Sequence, residues 1–182
     1  MARKSSYISV LQFDERLITL FRAEPGPKGL AAVAFERERG AWQYGDGSLE
    51  RALKEFVARH RVALDATYTV LPRHDVTARI QLLPSVDMDE IRGMVRLSAE
   101  EYMPYPLQEL VIDQAVLERL PDRQSRVLSV FVHRDVVETH VRLLGAAGIE
   151  PVSIYLSSAC LASAAIAANR GGDEPYAVVN LA

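Results

Sequence analysis

The period of apolar positions changes repeatedly along the chain, and each change marks a boundary between elements. YISVLQF and RLITLFRA are rich in β-branched and aromatic residues, as strands are, and only Asp14-Glu15 separates them, which reads as a tight hairpin. The breaker EPGPKG precedes LAAVAFERE, a third strand of the same meander. From Ser48, read as an N-cap, the period becomes helical: Leu49, Ala52, Leu53, Phe56 and Val57 fall on one face. A hairpin meander followed by an amphipathic helix is predicted.

Further on, ATYTVL is a short strand of the buried type, ended by Pro72. In RHDVTARIQLLP, Val76, Ala78, Ile80 and Leu82 alternate with polar residues and share the apolar face of another strand. Asp87 with Glu90 has the D-x-x-E form of a capping box, and Met88, Ile91, Val95 and Tyr102 supply a helical stripe. That helix stops near Tyr102, because Pro104 disfavours helical geometry at Met103. LVIDQAVLE and RVLSVFVH follow as strands joined through LPDRQS. Asp135 with Glu138 opens the next helix, with Val137, Val141 and Leu144 on its apolar face and Gly148 as its C-terminal cap before Pro151. EPVSIYL reads as a strand, SSACLASAAIAAN as a helix and YAVVNLA as a last strand. The order β-β-β-α-β, β-α-β-β-α, β-α-β is that of a mixed α/β protein without a short-period repeat.

At 182 residues and 49% hydrophobic content, the chain is long and apolar enough for an ordinary core. Its formal charge of −3 and its scattered arginines offer no basic stripe to track phosphates, which argues against a nucleic-acid partner. The single cysteine, Cys160, excludes an internal disulfide and a cysteine metal cluster, and its small-residue surroundings predict a buried, inert thiol. The run around it is the most apolar in the chain but carries serines and falls short of the ~20 residues of a membrane span. MARKSS leads straight into a strand-like run without the apolar core of a signal peptide, so the expected compartment is the cytoplasm.

Candidate chemistry is thin. Gly45-Asp46-Gly47 opens a helix, but no G-x-G-x-x-G or Walker pattern continues from it, so a turn with an N-cap is the simpler reading. His60, His74, His133 and His140 lack the i, i+4 spacing of a helical metal site, and no Ser or Cys is placed beside His74-Asp75 to suggest a triad. Glu100 and Glu101 are neighbours on a helix and point about 100° apart, as on a solvated face. No catalytic residue and no metal ligand set is expected. EEYMPYPLQELVID is different: Pro104 and Pro106 make the chain from Met103 to Leu107 extended and rigid, while Tyr102 and Tyr105 offer apolar rings with polar tips. It is either a helix stop with tyrosines at a sheet edge or a lip of a binding surface.

The run from Asp87 and Glu90 through Glu100-Glu101-Tyr102-Met103-Pro104-Tyr105-Pro106-Leu107 to Glu109 and Asp113 resembles the helix, turn and strand of the PilM-type actin-like proteins of type IV pilus assembly. The likeness continues through LSVFVHRDVVETHVRLLGAAGIEPVSIYLSSACLASA and covers about Tyr68 to Ala165. It implies an actin/FtsA-like architecture. Residues 1–71 would be the first part of subdomain 1A, 72–150 an inserted small α/β subdomain 1C, and 151–182 the return to 1A with the first strand of a second lobe that this chain lacks. The two D-x-G phosphate loops of that family fall on Gln12-Phe13-Asp14 and Asn180-Leu181-Ala182. Asp14 adds negative charge where phosphate would sit, and Asp14 and Ala182 crowd the backbone where the family has glycine. The resemblance therefore implies neither ATP nor Mg as cofactor, a degeneracy shared with the GspL cytoplasmic domain of type II secretion.

From the resemblance, the expected function is a non-catalytic cytoplasmic scaffold at the inner-membrane platform of a type IV pilus or type II secretion system. Its implied partner is a PilN-like single-span membrane protein, bound through its cytoplasmic N-terminal peptide, with the assembly ATPase as a further contact. Tyr102, Pro104 and Tyr105 are the residues the resemblance sets near that peptide. The rival expectations are an actin-fold ATPase or kinase-like enzyme and an FtsA-like filament-forming division protein.

Overall fold

The computed structural model describes residues 7–27, 29–62, 64 and 66–168. The chain divides into two compact units, Met1–Arg73 with Val141–Ala182, and His74–His140. Sequence reasoning set the inserted segment at 72–150; residues 141–150 belong instead with the first unit, because Leu143, Leu144 and Ile149 are buried in its core.

The first unit is built on a five-stranded sheet of order β3-β2-β1-β4-β8. β1 (Ile8–Phe13), β2 (Leu17–Gly26) and β3 (Gly29–Arg39) form the antiparallel meander, and β4 (Thr67–Leu71) and β8 (Ser153–Leu156) extend it in parallel from β1. The EPGPKG stretch does not end β2: strand pairing runs through Pro25↔Leu30 to Gly26↔Gly29. Pro25 is tolerated because β1 pairs with β2 only as far as Ala23, so its missing N–H faces no partner strand. Side chains alternate along β1, and Leu11 and Phe13 point to the core with Ile18 and Leu20 of β2.

Helix α1 (Ser48–His60) closes that face with Leu49, Ala52, Leu53, Phe56 and Val57, the five residues its period predicts. Removing a side chain such as Leu53 or Phe56 from water contributes on the order of 2 kcal/mol. The start of α1 corrects the sequence reading. Gly47 is the N-cap, in the left-handed region at φ 78°, and the Ser48 hydroxyl instead accepts the Gln43 N–H at 2.9 Å. Asp46 takes up the Ser48 N–H at 2.8 Å, and this hydrogen bonding lowers its carboxyl pKa. Helix α3 (Arg134–Ala146) enters the first unit at Val141, but Val141 is 41% exposed and Leu143 takes its expected place in the core beside Leu144. Gly148, at φ 77°, ends this segment as predicted, with the Ile149 N–H bonding back to the Leu144 carbonyl at 2.9 Å.

Helix α4 (Ser157–Ala168) follows β8 and exposes most of its small apolar residues. Cys160 is exposed and not buried as its surroundings suggested, since an all-apolar stretch carries no period to say which face is covered. The YAVVNLA strand lies outside the described residues.

The second unit packs one helix on a three-stranded antiparallel sheet of order β5-β7-β6, where β5 is Thr77–Leu83, β6 Leu110–Arg119 and β7 Ser125–His133. Helix α2 (Met88–Tyr102) covers one face through Ile91, Val95 and Ala99, against Val127 and Phe131 of β7 and Leu110 of β6. Its N-terminus is capped by Asp87, whose carboxylate accepts the Asp89 and Glu90 N–H groups at 2.9 and 3.0 Å and is held below its usual pKa by those bonds. The box closes through a relay: the Asp87 N–H donates to Ser85 Oγ at 3.0 Å, and the Ser85 hydroxyl donates to the Glu90 carboxylate.

The alternation in β5 is real, but its apolar face is not the one α2 covers. The helix-facing positions of β5 are set by register with Val127 and Phe131, and they are Thr77 and Gln81, with Arg79 and Leu83 in phase. Gln81 bonds Ser98 of α2 at 3.1 Å and the Arg79 guanidinium lies over the Tyr102 ring. Ile80 and Leu82 are consequently 65% and 57% exposed.

Candidate functional site

The proline–tyrosine segment connects α2 to β6 and is stiff at both ends. Met103 is extended at φ −123°, ψ 133°, as expected of a residue before proline, and Pro106 is extended at φ −64°, ψ 149°. The three residues assigned to a lip have different surroundings. Tyr102 belongs to the second unit's core, its ring 6.2 Å from that of Phe131 and under the Arg79 guanidinium at 5.7 Å. Pro104 and Tyr105 are exposed.

Tyr105 stands edge-on against the His133 ring at 4.5 Å. Glu109 flanks His133 Nε2 at 3.5 Å and Asp135 flanks Nδ1 at 3.8 Å, and Nδ1 accepts the Asp135 N–H at 3.3 Å. Arg134 fixes the following turn: its Nε donates to the Gln108 carbonyl at 3.1 Å and its Nη2 to the Leu110 carbonyl at 3.3 Å. The result is a rigid, partly aromatic surface with Tyr105 at its tip, suited to holding another chain. The sequence places Glu109 in the family-like run and His133 among the histidines, but it does not bring them together with Arg134, which reaches carbonyls 26 and 24 residues back along the chain.

At the other candidate position, the β1–β2 turn, the carboxylate of Asp14 is used by its own turn. Asp14 Oδ1 accepts the Arg16 N–H at 2.7 Å and the Leu17 N–H at 2.9 Å, while the Asp14 N–H donates to the Leu17 carbonyl at 3.0 Å. Gln12 is half-buried on the sheet face opposite Leu11 and Phe13. Beside the turn lies a cavity of about 400 Å³ lined by Glu15, Arg16, Trp42 and Tyr44 among others, and the Glu15 carbonyl accepts the Trp42 N–H at 2.9 Å. Asn180 and Ala182, the counterpart loop, lie outside the described residues.

The remaining titratable groups form no reactive cluster among the described residues, and no three His, Cys, Asp or Glu side chains there are grouped to hold a metal ion. The His60 ring packs tilted against Phe56 at 4.4 Å, His74 lies 3.6 Å from Asp75, and Glu100 and Glu101 are both exposed. His140 is buried, which pushes its pKa down to about 4 and keeps the ring neutral at pH 7. Partial burial pushes the Cys160 thiol up, so that side chain is not an activated nucleophile.

Residues 43–180 match the family described as Type IV pilus assembly protein PilM. Among solved structures, the PilM-PilN type IV pilus biogenesis complex is similar at 22% identity with a TM-score of 0.68, over 86% of this chain and 48% of that chain. The cytoplasmic domain of EpsL, an inner membrane component of the type II secretion system of Vibrio cholerae, is similar at 15% identity with a TM-score of 0.58, over 82% of this chain and 57% of that chain. A Bacteroides thetaiotaomicron protein with an actin-like ATPase fold and unknown function matches at 10% identity with a TM-score of 0.54, over 93% of this chain and 59% of that chain. The fold is thus the actin-like one, and this chain spans roughly half the length of the proteins it matches. Among the described residues no helix is long and apolar enough to cross a membrane.

Proposed function

Because this chain belongs to the PilM family of type IV pilus assembly proteins, we propose that it acts as a non-catalytic scaffold on the cytoplasmic side of an inner-membrane assembly platform, of a type IV pilus or a type II secretion system. Its partner in this reading is a PilN-like single-span membrane protein, held through an extended N-terminal peptide. The observation that carries the binding part is the clamped segment: Tyr105 is presented to solvent on a backbone fixed by two prolines and by the Arg134 guanidinium. A surface ordered before binding gives up little entropy when a peptide settles on it.

The turn at Asp14 supports the non-catalytic part. Two backbone N–H groups that could meet a phosphate already hold a carboxylate of the same chain, and that carboxylate would repel an incoming anion. Calorimetry with Mg-ATP on this chain and on Asp14→Gly tests this; micromolar binding by the unmodified chain would overturn it. The binding part is tested by titration with the N-terminal peptide of a PilN-like partner against Tyr105→Ala and Pro104→Ala. A several-fold loss of affinity is expected, and unchanged affinity removes this segment from the binding surface.

A further inference from the structure

We propose that the groove between α2 and the free edge of β6 is a second docking site, which takes an extended, acidic peptide segment as an added strand. β6 is an edge of the second unit's sheet, so among the described residues one row of its backbone N–H and C=O groups has no neighbouring strand. Proteins blunt such edges with bulges and charges; β6 has its bulge at the far end, where the register shifts between Val116 and Glu118, and one charge, Asp113, in its first half. Its first half, from Leu110 to Ala115, pairs regularly with β7; the Leu110 carbonyl already accepts Arg134 Nη2 at 3.3 Å and the Gln114 N–H is held by Asp113, so the groups between them, around Ile112, are those left for an added strand.

A cavity of about 260 Å³ lies along that open half, lined by Arg92, Arg96, Ile112, Asp113 and Gln114. Ile112 and Gln114 are on the helix-facing side of β6, being in register with Phe131 and Ser129, and make an apolar and hydrogen-bonding floor. Arg92 and Arg96 lie one turn apart on α2 and form the wall, both exposed. Arg92 touches Asp89 at 2.5 Å, an exposed pair that binds weakly, and among the described residues no carboxylate lies within ion-pair distance of Arg96. The groove's own acid, Asp113, is one of the lining residues, and its Oδ1 accepts the Gln114 N–H at 2.8 Å, so an incoming segment meets this carboxylate as well as the two arginines.

Three features select the occupant. The edge asks for an extended backbone, the floor for an alternation of small or apolar residues, and the wall for negative charge. Side chains four apart on a helix stand ~6 Å apart, close to the ~6.8 Å repeat of like-facing residues on a strand. Acidic residues at alternate positions of a strand would therefore meet Arg92 and Arg96 in turn. Neither Tyr105 nor the Asp14 turn takes part in this site.

The test is a titration of the isotope-labelled chain, followed by amide NMR shifts, with a blocked peptide of alternating Glu and Val. The expected result is shifts confined to residues 111–115 and to the flank of α2, about tenfold weaker binding to Arg92→Glu/Arg96→Glu, and loss of binding when alternate peptide amides are N-methylated. A Lys–Val peptide should leave these amides unmoved. Arg96→Ala, which removes one exposed side chain, should weaken binding by a smaller factor without altering the melt. The proposal fails if the shifts map elsewhere, if the doubly reversed variant binds equally well, if N-methylation has no effect, or if inorganic phosphate produces the same shifts at similar concentration.

Discussion

His140 ties stability to pH in a way its surroundings make calculable. The side chain is 3% exposed, and burial lowers its pKa from 6.5 to about 4. The unfolded chain therefore takes up a proton on this ring before the folded chain does. Stability from the neutral ring is fully present above pH 6.5, erodes as the pH falls below it, and is lost by about pH 4. A separation of that size corresponds to about 3 kcal/mol in all, of which about 2 kcal/mol disappears between pH 7.5 and pH 5. That window lies above the range in which Asp46, Glu50 and Asp87 titrate, because hydrogen bonds lower each of those carboxyls. Urea unfolding of the unmodified chain and of His140→Gln, measured by circular dichroism at pH 7.5, 6.5, 5.5 and 5.0, isolates the effect. The glutamine variant should be less stable at pH 7.5, and the gap should narrow by about 2 kcal/mol by pH 5. Two curves that run parallel across this range would refute the reasoning.

Other residues give sharper local expectations. Asp87→Ala removes the acceptor for two N–H groups at the start of α2 and should cost about 1 kcal/mol, with Asp87→Ser recovering most of it, as read from urea midpoints. Phe131→Ala empties the centre of the second unit's core and should cost about 3–5 kcal/mol; hydrogen exchange should accelerate in β5, β6 and β7, and retained protection there would contradict the packing. Ser129→Ala should stabilise the chain by about 1 kcal/mol, since the Ser129 hydroxyl is buried with no hydrogen-bond partner among the described residues; a loss of stability would mean that it has one.

The elements themselves were legible because each carries a local signal. The α1 stripe, the Asp87 cap, the proline after α2 and the glycine after α3 all act over a few residues, and all lie where the sequence places them. What was not legible is which face of an element is covered. Ile80 and Leu82 form as good an apolar row as any in the chain, yet the choice of face in β5 belongs to its register with Val127 and Phe131, residues about 50 positions away. The same limit applies to Val141 and Cys160. Alternation or apolarity was visible in each case, and the partner that decides burial was not.

The two candidate sites differ in how far sequence could reach them, and the reason is the origin of their geometry. Asp14 lies within its own turn: the sequence argument rests on charge, that phosphate would be repelled, and the structure adds that the Arg16 and Leu17 amides already hold the Asp14 carboxylate. In the reading proposed above, occupation would be the stronger obstacle to phosphate, since salt screens a surface charge but does not vacate a hydrogen bond. The Tyr105 surface depends on distant residues throughout. Its prolines stiffen the backbone locally, but its position relative to the sheet is held by Arg134 and His133, which come from the end of β7 and the start of α3. If the proposed peptide site is this surface, loosening Arg134 should weaken binding without touching any contact residue, because order in place before binding lowers the entropy lost on binding.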